Sequence, residues 1–175
     1  NSEVIVEVPA QPSGLGWMPD GTMLIVSMKD KKLLSFNNNT LSEVADLSNL
    51  AGFHCNDMVV DDQGNAYIGN FGFNTYSGEE IRPANLILVR PGEDPCLAAD
   101  DLLFPNGTVI TPDGKTLIVG ETYAARLTAF DINQDATLSN RRVWADFTLD
   151  AGEGNIPLPD GMCLDVEGAI WVASP

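Results

Sequence analysis

The stretch Gly107-Thr-Val-Ile-Thr-Pro-Asp-Gly-Lys-Thr-Leu-Ile-Val-Gly120 decides the fold: two short apolar runs flank an Asp-Gly pair. Such a pair between apolar runs is a β-hairpin signal, because glycine supplies the positive φ that a tight turn requires. The same grammar occurs three more times. It reads Gly14-Leu-Gly-Trp-Met-Pro-Asp-Gly-Thr-Met-Leu-Ile-Val-Ser27, then Asp57-Met-Val-Val-Asp-Asp-Gln-Gly-Asn-Ala-Tyr-Ile-Gly69, and finally Gly161-Met-Cys-Leu-Asp-Val-Glu-Gly-Ala-Ile-Trp-Val-Ala173. The turn glycines Gly21, Gly64, Gly114 and Gly168 are separated by 43, 50 and 54 residues. After each of the first three hairpins a second strand pair is readable. These are Lys32–Phe36 with Ser42–Asp46, Leu86–Arg90 with Leu97–Asp100, and Leu127–Ile132 with Arg142–Phe147.

Four strands in about 45–50 residues is the period of a propeller blade. No segment carries continuous helical periodicity or a convincing pair of helix caps. The chain is therefore read as all-β, a β-propeller in units of roughly 1-50, 51-103, 104-150 and 151-175. A β-sandwich could use hairpins at this density, but the likeness of successive turn regions favours the propeller. About three and a half to four blades are present, whereas closed propellers have about four to eight. An open arc leaves sheet edges and apolar blade faces uncovered, so the expectation is a longer polypeptide, or self-association through those edges. The chain opens on Asn1-Ser2 without an initiator Met or a signal-peptide pattern, as a partial segment would. Glu3–Val8 reads as a strand closing a preceding blade.

Composition bounds the function. The 175 residues are 44% hydrophobic and carry 25 acidic against 9 basic side chains, a net charge of −16. That balance argues against nucleic acid and anionic membrane, both of which need a cationic face. It is compatible with a cation site and with a merely solvated acidic surface. No apolar run approaches the ~18 residues of a membrane span. Cys55, Cys96 and Cys163 stand at wide, unrelated spacings with no CxxC pair, which points to free thiols in a reducing, cytoplasmic setting. There is no Gly-x-Ser-x-Gly elbow, P-loop or dinucleotide fingerprint.

In a propeller, chemistry gathers at the central channel, where the innermost strands begin. Gly52-Phe-His-Cys-Asn-Asp57, Phe104-Pro-Asn-Gly107 and Pro157-Leu-Pro-Asp-Gly161 lead into the second, third and fourth hairpins. Each puts an oxygen-bearing side chain at a matched point: Asn56, Asn106 and Asp160. Oxygens converging on one axis in an acidic surround can hold a hard divalent cation. Asn and Asp beside Gly are equally ordinary turn residues, so the residue types alone leave both readings open. Glu121-Thr-Tyr123 follows a strand and reads as channel-facing or as surface hydrogen-bonding. Trp17, Trp144 and Trp171 read as blade core.

Leu158-Pro-Asp-Gly-Met-Cys-Leu-Asp-Val-Glu-Gly-Ala-Ile-Trp-Val-Ala-Ser174 closely resembles a signature of the SMP-30/gluconolactonase/regucalcin family. So do Phe104-Pro-Asn-Gly, Thr128-Ala-Phe-Asp131, Leu138-Ser-Asn-Arg-Arg142 and His54-Cys-Asn-Asp-Met-Val-Val-Asp-Asp-Gln-Gly64. The resemblance implies a six-bladed propeller with one divalent cation on its axis: calcium first, with zinc, manganese or magnesium as alternatives. It implies Asn106 and Asp160 as metal ligands, and Asn56 as a contact to water or substrate. The implied activity is hydrolysis of a sugar lactone or similar cyclic ester, with Asp160 as general base. Two departures stand out. The family's first-blade Glu ligand has no counterpart, since Glu3 and Glu7 lie outside any matching segment, so this chain by itself is expected to turn over weakly or not at all. Where animal members carry an Arg, this chain has His54, which contacts substrate with fewer donors and points to a different lactone. The alternatives are a non-catalytic propeller that binds calcium or a partner, and a strictosidine-synthase-like condensation. Relatives of the latter are not expected to keep Pro-Asn-Gly and Pro-Asp-Gly together.

Overall fold

The computed structural model describes residues 2–149 and 156–174. Three antiparallel four-stranded meanders and a fourth hairpin follow one another along the chain. The first sheet is β1 (Pro12–Trp17), β2 (Met23–Ser27), β3 (Lys32–Asn37) and β4 (Thr40–Asp46). The second is β5 (Cys55–Val60), β6 (Ala66–Asn70), β7 (Ala84–Val89) and β8 (Cys96–Leu102). The third is β9 (Pro105–Ile110), β10 (Thr116–Glu121), β11 (Arg126–Ile132) and β12 (Leu138–Asp146), and the hairpin is β13 (Met162–Leu164) with β14 (Ile170–Val172). A single 3₁₀ turn at Thr122–Ala124 is the only helical element among the described residues. These sheets are propeller blades.

Each predicted hairpin closes with the same bond. The turn-glycine amide donates to the carbonyl three residues back at 2.9 Å for Gly21, 3.0 Å for Gly64, 2.8 Å for Gly114 and 3.1 Å for Gly168. Gly64 shows why the residue is glycine, since its φ of +86° would strain a side chain.

The blades stack through both faces of their middle strands. In β6 every residue is buried. Ala66 and Ile68, with Ile87 and Val89 of β7, pack against Leu24, Val26 and Leu33 of the first blade. Their neighbours Tyr67, Leu86 and Leu88 pack the other way, against Leu117, Val119 and Phe130 of the third. This alternation is the period of two of a strand with both faces covered. Val109, Ile118, Leu127 and Ala129 repeat the arrangement toward Met162, Leu164 and Val172 of the last hairpin. The innermost strands β1, β5, β9 and β13 contact one another in succession, forming one wall.

Three expectations need correcting. Glu3–Val8 forms no strand: it has no ladder partner among the described residues, and Val4 and Ile5 are exposed. The tryptophans are not core, for Trp17, Trp144 and Trp171 are 55%, 50% and 67% exposed. They lie at the end of β1, on the outermost strand β12 and on β14, where Trp171 Nε1 donates to Asp165. The third concerns Glu121 and is taken up below. Cys55, Cys96 and Cys163 are free, as their spacing implied. Burial pushes the Cys55 thiol up to about 12, so at neutral pH it is an inert packing group.

Candidate metal and active site

The innermost strands share an irregularity at one end. In the first blade Pro12 pairs with Ser27 and Leu15 with Ile25, so Ser13 and Gly14 together oppose one residue. In the second, Cys55 pairs with Asn70 and Met58 with Ile68, leaving Asn56 and Asp57 opposite Gly69. In the third, Pro105 pairs with Glu121 and Thr108 with Val119, leaving Asn106 and Gly107 opposite Gly120. Two residues facing one is a β-bulge, which bends the strand and re-aims a side chain that a regular ladder would send into the blade.

The re-aimed side chains form a row from blade to blade. Ser13 Oγ donates to Asn56 Oδ1 at 3.2 Å, and Asn56 Nδ2 donates to Asn106 Oδ1 at 2.8 Å. Asn106 Nδ2 then donates to Asp160 Oδ1 at 2.9 Å. The backbones come close enough for this because glycine stands beside the row. A Cβ on Gly107 would lie 2.5 Å from the Asp160 carbonyl oxygen, and one on Gly14 would lie 2.6 Å from the Met58 nitrogen. Thus the structure brings Asn56, Asn106 and Asp160 together, with Asn106 buried and Asp160 open to solvent. Thr122 locks the junction between the third and fourth units: its hydroxyl accepts from Asn106 Nδ2 at 3.1 Å and donates to the Pro159 carbonyl at 2.7 Å.

Sequence reasoning gave no role to two members of this site, Ser13 and Asp57. Ser13 was legible, because it stands eight residues before its turn glycine, as do Asn56, Asn106 and Asp160. Asp57 was legible too, as the one acid at the position where the other units carry Gly14, Gly107 and Gly161. Burial raises the Asp57 pKa, and the nearby charge of Asp160 raises it further. Thr122 lay within the Glu121-Thr-Tyr123 segment read as channel-facing or surface, and its hydroxyl reaches the row from the end of β10.

Glu121, read as channel-facing or surface, is neither. It is fully buried and accepts from the Leu103 amide at 2.9 Å, from Arg126 Nε at 2.8 Å and from the Thr128 hydroxyl. Burial by itself would push its carboxyl up, but the hydrogen bonds from Arg126, Thr128 and Leu103 hold it below the usual carboxylate range. It is a structural anion that pins the segment entering Asn106.

His54 stands beside the row and outside its hydrogen bonds. Its ring stacks on Phe53 at 4.0 Å, and its Nδ1 is buried without a partner. Burial lowers its pKa, and Lys29 and Lys31 lower it further, so the imidazole is neutral at pH 7.

The row fits a hard cation by its chemistry. Its donors are oxygens, and two carboxylates, Asp57 and Asp160, sit near each other with no Lys or Arg paired to either among the described residues. No three His, Cys, Asp or Glu side chains gather among the described residues, so any cation here rests largely on amide oxygens.

Known proteins resemble this chain in sequence and in fold. The chain is 28% identical over 135 residues to regucalcin of Danio rerio, covering 77% of this chain and 43% of that protein. It is 28% identical over 181 residues to diisopropyl-fluorophosphatase of Loligo vulgaris, covering 93% of this chain and 54% of that one. A solved structure of a calcium-binding regucalcin from Agrobacterium tumefaciens superposes with a TM-score of 0.74 at 26% identity, covering 95% of this chain and 54% of the other. The chain thus spans about half the length of these relatives or less. The family described as SMP-30/gluconolactonase/LRE-like region matches residues 1–175. A match running the length of the chain, on blades that superpose with a regucalcin, makes this protein a member of the SMP-30/gluconolactonase/LRE-like family.

Proposed function

We propose that the protein containing this chain hydrolyses a lactone or similar cyclic ester at the inner-strand row, with the help of one divalent cation. The observation that carries this reading is the continuous hydrogen-bonded row Ser13–Asn56–Asn106–Asp160, assembled from four blades at equivalent positions. Asn106 and Asp160 would hold the cation, calcium being the first choice. The cation supplies charge stabilisation to the carbonyl oxygen as the ester opens.

The chain's own residues do the rest. The Asp160 carboxylate accepts a proton from the attacking water, whose oxygen bonds to the lactone carbonyl carbon. The acyl C–O bond of the ring then breaks, and the released ring oxygen takes up a proton to give a hydroxy acid. Asn56, whose Nδ2 donates to Asn106 Oδ1, would orient water or substrate beside the residues that would hold the cation. Ser13 holds the other end of the Asn56 amide and so fixes which atom faces the channel. His54 flanks the substrate as a neutral ring rather than a cationic clamp. Asp57 gives the row a second carboxylate.

The test is proton release during lactone opening by the whole protein, followed by pH-stat with and without EDTA. Activity that falls on chelation, returns with calcium and is lost in Asp160→Ala supports the reading. A protein that binds calcium by calorimetry but opens no lactone is instead a non-catalytic calcium-binding propeller.

A further inference from the structure

A band of aromatic rings borders the row on the end of the blades where the inner strands start. Phe53 stacks on His54 at 4.0 Å, and His54 lies 6.0 Å from both Phe71 and Tyr76. Phe71 stacks on Phe104 at 4.5 Å with 17° between planes, and Phe104 meets the edge of Tyr123 at 5.2 Å and 89°. Offset stacks and edge-to-face pairs are the favoured geometries of such rings. The band is tied to the row by the backbone. His54 precedes Asn56 by two residues, Phe104 precedes Asn106 by two, and Tyr123 follows Thr122. The Phe71 amide donates to the His54 carbonyl at 3.0 Å, and the Thr122 amide to that of Phe104 at 3.2 Å.

Phe104 holds a φ of +60°, a left-handed conformation that is costly for a residue with a Cβ. The Phe71 stack, the Tyr123 edge and the Glu121 clamp on Leu103 over-determine that conformation, which turns the ring into the band. The band runs from buried Phe71 at its base to Tyr123, 42% exposed, and Tyr76, 74% exposed, at its rim.

We propose that this band is the subsite for the non-reacting part of the substrate, and that it selects an aryl-fused or aryl-substituted lactone over a polyhydroxylated one. The inference rests on the lactone-hydrolase reading for the position of the ester group. A sugar lactone presents several hydroxyls, and each hydroxyl moved from water onto a surface without a partner is penalised. The rings offer faces; their polar atoms are two tyrosine hydroxyls and one imidazole whose Nδ1 is enclosed and partnerless. The imidazole is neutral and stacked, so it acts as another plane. A flat apolar ring, by contrast, gains stacking and loses only poorly held water. The ester at its edge then meets Asn56 and Asp160.

The experiment compares kcat/KM of the whole, metal-loaded protein for dihydrocoumarin and for glucono-δ-lactone. The aryl lactone is expected to be favoured by about tenfold or more, and Tyr123→Ala to reduce that ratio by about tenfold, mainly through KM. Phe104→Leu, which keeps bulk and removes the ring, is expected to act in the same direction, while Trp144→Ala on the outer strand leaves the ratio unchanged. A preference for the sugar lactone, or a ratio that Tyr123→Ala does not move, overturns the proposal. If neither lactone is opened, the hydrolase reading fails and the band is judged by binding. Saturation-transfer NMR on the chelated protein then compares 3-(2-hydroxyphenyl)propanoate with gluconate. Tighter binding of the aryl acid, weakened by Tyr123→Ala, sustains the subsite; equal binding or none overturns it.

Discussion

The two ends of each innermost strand carry the same kind of residue and use it in opposite ways. At the hairpin end stand Asp20, Asp61, Asp113 and Asp165, each accepting from the amide two residues on, at 2.9, 2.9, 3.2 and 2.9 Å. At the channel end stand Asn56, Asn106 and Asp160, bonded to residues 43, 50 and 54 positions away. A turn aspartate is satisfied by its own hairpin and needs no other blade. A channel residue is satisfied only when neighbouring blades close on it. Reach therefore separates the turn Asx residues from the channel ones, where residue type could not. The bulge explains the contrast: it lifts two residues out of the ladder at one end only.

Four substitutions bear on that contrast. Asp160→Ala at the channel end should lower kcat/KM by about 10³-fold while changing stability by less than about 0.5 kcal/mol, because its carboxylate is solvent-exposed. Thermal melts with and without EDTA check the cation in the same variant. The parent should lose several degrees on chelation and Asp160→Ala none, as ligand linkage requires. A chelation shift that survives in Asp160→Ala would move the cation away from the row.

Next in size is Asn106→Ala, which strips the buried centre of the row of its bonds to Asn56, Asp160 and Thr122. Urea unfolding should show a loss of about 2–3 kcal/mol, since the partners are left unsatisfied at a blade interface. A neutral outcome would mean that the blades do not depend on the row.

Asp57→Asn tests the acid at the glycine position. Because burial and Asp160 raise the Asp57 pKa, the folded protein resists its ionisation. Its contribution is intact below the unfolded carboxylate pKa of about 4 and is lost as pH rises through the higher folded value. Removing the charge should therefore stabilise the chelated protein at pH 7 by on the order of 1 kcal/mol, with the gain vanishing below about pH 4. A gain independent of pH would show that Asp57 is not the strained charge.

The smallest effect belongs to the hairpin end. Asp113→Ala removes an acceptor from Thr111 and Lys115 on an exposed turn, so a thermal melt should shift only slightly and lactone turnover should be unchanged. A marked loss of turnover would erase the distinction between the two ends.

Much of this molecule was readable in advance. The hairpins, the second strand pairs and the all-β class came from Asp-Gly turns and apolar runs, because those signals are local. Asn56, Asn106 and Asp160 were found by their matched positions, and Ser13 and Asp57 lay within reach of the same comparison. The tryptophans misled because hydrophobicity says that a side chain favours burial, whereas Trp17, Trp144 and Trp171 stand exposed on these blades. Glu121 misled for the converse reason. A charged residue at a strand end looks exposed until Arg126 and Thr128 of β11 and the Leu103 amide before β9 converge on it from two segments.

The sequence by itself determined the repeat, the strand order within each blade and the residue types offered at the channel, since all three depend on neighbours a few positions apart. Only the tertiary structure decided which of those residues meet. The glycine contacts that let blades approach and the Phe71–Phe104 stack join positions on different blades, 33 to 53 residues apart. Such meetings depend on how blades pack on one another, which the spacing of residues along one strand does not encode.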